Sequence, residues 1–149
     1  MTKNLVDGFL TERKLAVVGA SRTGKKFGNM VLKELQPKGY TLFPIHPEME
    51  YVENLKCYGS FRDLPEKVNA AFVAVSPAKA LAAVEEAHAA GVSKIWLQQG
   101  AQSPEAVEYC RSNQIDLVSG ECIFMYAEPV ESIHKFHRFI RKLFGRMPK

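Results

Sequence analysis

Short apolar runs recur along the chain, each stopped by a glycine or polar break, and helical patterns fill the intervals between them. The spacing predicts strands over 14–18, 40–45, 70–75, 94–98 and 115–119. The run at 70–75, Ala-Ala-Phe-Val-Ala-Val, holds no polar residue, as suits a strand covered on both faces. A leading helix over 1–12 presents Leu5, Phe9 and Leu10 on one side. A second helix over 28–36 carries Met30, Val31, Leu32 and Leu35, and Pro37 and Gly39 end it. The alanine-rich stretch 78–90 groups Ala80, Leu81, Val84 and Ala87 on one side and is closed by Gly91. A fourth helix over 103–113 opens with Pro104 and Glu105, both suited to a first turn. Residues 54–61 read as irregular and 63–65 as a turn.

Strands alternating with helices predict an α/β fold: a single Rossmann-like, doubly wound parallel sheet of five strands in the order 3-2-1-4-5. This domain is expected to span 1–128. The segment 129–149 repeats Ile133, Phe136, Phe139/Ile140 and Leu143/Phe144 at helical spacing with cations between them. It is expected to form a basic amphipathic helix, either docked on the same domain or acting as a homodimer contact.

Length and composition narrow the class. A chain of 149 residues, 46% apolar and 24% charged, makes one globular domain with a core of its own. No apolar run approaches the ~18–20 residues of a membrane span. The first residues lack the apolar stretch of a secretory signal. Three cysteines, Cys57, Cys110 and Cys122, form no closely spaced pair, so a reduced, cytoplasmic chain is expected. The net charge of +4 is uneven: 129–149 holds six Lys/Arg against one acid, leaving 1–128 at −1. The body has no basic face and no stacking motif, which argues against nucleic acid as a partner.

Chemistry concentrates in the stretch 15–28, LAVVGASRTGKKFG. A strand breaks at Gly19-Ala20-Ser21 and feeds a helix, leaving unpaired backbone N–H groups to face an anion. Arg22, Lys25 and Lys26 add positive charge with no acid among them. Ligands of such sheets bind at the carboxyl ends of the strands, here 19–26, His46-Pro47, Ser76-Pro77 and 98–100. A dinucleotide turn would place a second glycine where Ser21 stands, and an acid where His46-Pro47 follows the second strand. Both departures weigh against NAD. Arg22 and Lys26 favour a nucleotide with an extra ribose phosphate, which leaves NADP and coenzyme A open.

The segments VVGASRTGKKFGNMV, GYTLFPIHP, CYGSFRDLPEKVNAAFVAVSP, IWLQQGA and ECIFM, in this order, resemble the stand-alone CoA-binding proteins. Those are single Rossmann-like domains similar to the N-terminal CoA-binding domain of the succinyl-CoA synthetase alpha subunit. The likeness covers about 15–125. It implies that the nucleotide end of CoA, or of an acyl-CoA, lies across Gly19, Ala20, Ser21, Arg22 and Lys26. It further implies contacts from His46, Pro47, Ser76, Pro77, Leu97, Gln98 and Gln99. Two departures stand out. His46-Pro47 replaces the Asn-Pro that the family often carries. The exit of the last strand, Cys122 to Glu128, lacks the family's Glu-His ending, so no role tied to that pair carries over.

No catalytic or metal-binding set is read from the sequence. The phosphorylated histidine of the synthetases belongs to a second domain, beyond a chain of this length. His88 is expected at the surface. Cys122 is expected either near a ligand thiol, where a mixed disulfide with CoA could form, or simply packed. His134 and His137 find no third ligand. Two rival functions remain: an NADP-dependent oxidoreductase, and a regulatory or protein-interaction module working through the tail. Against the first, neither Tyr109 nor Tyr126 is followed by Lys four positions on, where Asn113 and Val130 stand.

Overall fold

A computed structural model describes residues 2–21, 24, 26–98, 100, 101, 103–121 and 123. The chain opens with α1 (Thr2–Leu10), β1 (Lys14–Val18) and α2 (Phe27–Leu35), which tightens into a 3-10 turn at Gln36–Lys38. Gly39 ends that turn in the left-handed region at φ +94°. β2 (Thr41–Ile45) is followed by a hairpin of β3 (Tyr51–Val52) and β4 (Leu55–Lys56), a 3-10 turn at Phe61–Asp63 and β5 (Ala70–Val73). The remainder is α3 (Pro77–Ala89), β6 (Lys94–Gln98), α4 (Pro104–Ser112) and β7 (Asp116–Glu121). The expected helix over 129–149, with its dimer contact, lies outside the described residues, as do Arg22, Lys25, Gln99 and Cys122. No described helix is long and apolar enough to cross a membrane.

The five main strands form one parallel sheet, as the alternation of strands and helices predicts, but in the order β2-β1-β5-β6-β7. Counted along the predicted strands this is 2-1-3-4-5, which corrects the expected 3-2-1-4-5. The physical reason is Pro44. It sits in the middle of β2, and its carbonyl turns outward to accept the Tyr58 N–H at 2.9 Å. A residue's nitrogen and carbonyl leave a strand on the same side, so the N–H that proline lacks belongs to the outer edge. An interior position would have left a gap in the ladder. β5, buried at all four positions, takes the inner place instead.

Alternation along each strand divides the core into two layers. Leu15, Val17, Phe72, Trp96 and Val118 pack with Val6 and Phe9 of α1 and with Val31, Leu32 and Leu35 of α2. Ala16, Val73, Ile95 and Leu97 pack instead with Ala80, Val84 and Ala87 of α3 and with Ala106 and Cys110 of α4. The sheet is thus sandwiched between helix pairs. The small α3 residues are fully buried, so that helix lies close against the strands.

Residues 51–56, which overlap the start of the stretch 54–61 read as irregular, form a hairpin with a two-residue turn. Glu53 and Asn54 hold its turn at φ +50° and +65°, the positive values that a type I′ turn demands at both positions. Asn54 suits that conformation and Glu53 does not.

α1 is held to the sheet chiefly by an edge-to-face contact of Phe9 on Trp96, with ring centroids 5.4 Å apart and both side chains buried. Phe9→Ala should therefore cost about 3–5 kcal/mol of folding stability, measured as a lower denaturant midpoint.

Candidate functional site

The order of the sheet places its switch point between β1 and β5. The chain leaves β1 toward β2 on one side and later returns to β5 on the other, opening a crevice at the carboxyl ends. Gly19 stands at that point with φ +124°; a Cβ there would collide with the Ala74 carbonyl oxygen just past β5. The Ala74 N–H in turn donates to Val18 O at 2.9 Å. Gly28, in the first turn of α2, is equally crowded. A Cβ there would meet the Gly19 carbonyl carbon at 2.6 Å and the Ala20 nitrogen at 2.7 Å. Backbone is laid on backbone, so the start of α2 and the turn after β1 form one unit.

Asn29 fixes this unit, and the sequence reading did not single it out. Its side chain is fully buried on a helix otherwise lined by aliphatic residues. Asn29 Oδ1 accepts the Ser21 N–H at 2.9 Å, and Nδ2 donates to Ser21 O at 2.9 Å and to Glu53 Oε2 at 3.0 Å. The Ser21 N–H therefore points inward, to Asn29. Ser21 O also accepts the Gly24 N–H at 3.3 Å. Lys26 caps α2 from an extended conformation, exposed and without a side-chain capping bond.

The remaining predicted residues lie along the same edge. His46 follows β2; its N–H donates to Tyr58 O at 2.9 Å, and its Nδ1 accepts the Glu48 N–H at 3.0 Å. That acceptor role leaves the proton of a neutral imidazole on Nε2. Pro47 is exposed beside it. Ser76 and Pro77 begin α3 directly after β5 and are exposed. Ala20 is almost buried and joins the core layer under α2. Leu97 is wholly buried among the α3 and α4 residues, so its side chain serves packing. Gln98 ends β6, 2% exposed, and its Oε1 accepts the Ile123 N–H at 3.1 Å. Among the described residues its Nε2 meets no acceptor.

A cavity of about 370 Å³ lies between Ser21 and the stretch from Glu48 to Glu53, which includes Met49 and Tyr51. It joins the turn after β1 to the β3–β4 hairpin and the residues leading into it. Two nucleophile candidates are removed by packing. Burial pushes the Cys110 thiol up to about 11 and raises Cys57 as well, so both stay protonated near neutral pH. His88, expected at the surface, is half-buried, with Nδ1 2.8 Å from Tyr109 Oη.

Comparisons with known proteins agree with this geometry. Residues 13–128 match a family model described as a CoA binding domain. A conserved hypothetical protein from Pyrococcus furiosus is 40% identical, with a TM-score of 0.70 over 74% of this chain and 96% of that one. A hypothetical protein from Pyrococcus horikoshii OT3 is 30% identical, with a TM-score of 0.76 over 83% and 87%. Among curated proteins, ADP-forming acetate–CoA ligase I of Archaeoglobus fulgidus is 30% identical over 122 residues, 74% of this chain but 18% of the ligase. Ligase II of the same organism is 39% identical over 69 residues, 45% of this chain and 10% of the ligase. The chain thus spans less than a fifth of the length of either enzyme. The sequence likeness to succinyl-CoA synthetase is accordingly narrowed to a relation with acetate–CoA ligases. With its fold, its glycine turn at the switch point and a match running through all five sheet strands, the chain belongs to the CoA-binding domain family.

Proposed function

We propose that this protein binds coenzyme A, or an acyl-CoA, at the carboxyl edge of the sheet and performs no catalysis of its own. The match of residues 13–128 to the CoA binding domain carries this reading. The 3′-phosphate ADP portion would be held by Arg22, Lys26 and the amino end of α2, where helix dipole and cations both favour phosphate. His46 would offer its Nε2–H, and Ser76-Pro77 would flank the ligand at the start of α3.

The residues present fit such a ligand in two respects. Gly19 and Gly28 let the start of α2 lie directly on the turn after β1, which brings the amino end of the helix to the crevice. Gln98 Nε2 is a buried donor that finds no acceptor among the described residues, and the pantetheine arm carries amide carbonyls that would supply one. Cys57 and Cys110 are buried thiols, and the His46 and His88 Nδ1 atoms are each engaged.

Thermal unfolding in the presence of CoA, acetyl-CoA, NADP, NAD and ADP tests the choice of ligand. CoA at a hundred times its dissociation constant should stabilise by about 2.7 kcal/mol. A shift with NADP and none with CoA would sink the proposal in favour of an oxidoreductase cofactor. Charge reversal at the loop gives a second check: Arg22→Glu with Lys26→Glu should weaken CoA about a hundredfold or more, from two charged hydrogen bonds lost. At Lys26, which is exposed, the change should alter unliganded stability by no more than about 0.5 kcal/mol. Calorimetric titration of the double variant showing undiminished affinity would place the phosphate elsewhere.

A further inference from the structure

Glu53 lies outside the stretches from which the sequence predicts ligand contacts, yet it reaches the nucleotide turn. It stands 24 residues from Asn29 in the chain and is carried there by the β3–β4 hairpin. Its backbone is costly for a glutamate: at φ +50° a type I′ turn favours Asn, Asp or Gly. Turn chemistry does not explain the residue. Its contacts outside the hairpin do. Oε2 accepts from Asn29 Nδ2 at 3.0 Å, and Oε1 lies 3.9 Å from Lys33 Nζ. The side chain is only 18% exposed, whereas Lys33 is half-exposed, so the Lys33 pairing contributes little.

The contact with Asn29 is directional. An asparagine amide can turn over, exchanging oxygen and nitrogen with little change of shape. Turned over, Nδ2 would face the Ser21 N–H and Oδ1 would face both Ser21 O and the Glu53 carboxylate. All three hydrogen bonds would become repulsive. A carboxylate only accepts, so Glu53 reinforces the orientation of Asn29 in which Oδ1 receives Ser21 N–H and Nδ2 holds Ser21 O. Those two bonds hold the backbone of Ser21.

We propose that Glu53 is a positioning residue for nucleotide binding: through Asn29 it fixes the backbone of Ser21, at the start of the loop from which the CoA reading draws its phosphate contacts. The inference rests on the CoA reading given above. It makes the hairpin a strap across the binding turn, joined to it by one charged hydrogen bond. Glu53 itself touches no ligand in this scheme.

The test uses the full chain and two readouts, amide hydrogen exchange at Ser21 without ligand and CoA affinity by calorimetry. Glu53→Ala should speed Ser21 exchange and weaken CoA, each about tenfold, as for one charged hydrogen bond. Glu53→Gln, whose amide oxygen still accepts from Asn29, should recover both to within about threefold, which loss of the hairpin's general stability would not do. Asn29→Ala should lose both effects, and adding Glu53→Ala to it should change neither by more than about twofold. Unchanged Ser21 exchange in Glu53→Ala, or additive losses in the double variant, would overturn the strap. So would altered exchange with CoA affinity intact. Failure of the native protein to bind CoA would instead overturn the ligand reading, while the exchange data would still decide whether Glu53 sets the turn.

Discussion

The binding edge depends on one close approach, the contact of backbone with backbone where Gly19, Gly28 and Ala74 meet. Two glycines are required there for different reasons. Gly19 needs a positive φ and has the Ala74 carbonyl where a side chain would be; Gly28 has the peptide between Gly19 and Ala20 against it. Any Cβ at either place would push α2 away from β1 or β1 away from β5. Because β1 and β5 are the strands that flank the switch point, such a shift would open the crevice itself. The geometry that lets α2 aim its amino end along the sheet edge is thus the same geometry that keeps the central strand pair together.

Packing and polar bonding divide the labour. The apolar layers hold the helices to the sheet and take in Ala20 of the turn after β1; Ser21, the next residue of that turn, is held by polar contacts. That turn is set by Asn29, a buried amide that would be costly if left unbonded, of the order of 1–3 kcal/mol. Its three hydrogen bonds reach the turn twice and the hairpin once. Each partner therefore lowers the cost of burying the same group, which couples the start of α2, the turn and the hairpin. Loss of any one exposes the others to an orphaned amide.

The sheet was legible in the sequence because its signals are local. β1 and β6 fall on 14–18 and 94–98 as the apolar runs predict, and the helices begin within about two residues of their expected positions. Strand order was misread because it depends on pairing between distant segments; yet Pro44 carried a usable sign, since proline belongs on an edge. The hairpin was missed because its strands have two residues each and its turn uses Glu-Asn in place of the usual Asn-Gly. The site was legible as a set of strand ends. Asn29 and Glu53 were not, because an asparagine after Gly28 reads as a helix start and Glu53 reads as surface. Only the fold shows that one is buried and that the other lies against it.

Two buried amides stand at this edge, and their hydrogen bonds are completed differently. Asn29 has every side-chain polar atom engaged within the protein, and so it builds the turn. Gln98 has its oxygen engaged by Ile123 N–H and its nitrogen without an acceptor among the described residues. The oxygen contact ties β6 to the chain beyond β7 and fixes which way the amide faces, so the nitrogen is held in place by the bond its neighbour atom makes. A donor held in a fixed direction can take an acceptor brought to it without further ordering of the side chain. In the CoA reading, Asn29 determines the shape of the phosphate end and Gln98 rewards occupation farther along the sheet. Shape and affinity are then set by different residues on different elements, Asn29 on α2 and Gln98 on β6, and each can change without dismantling the other.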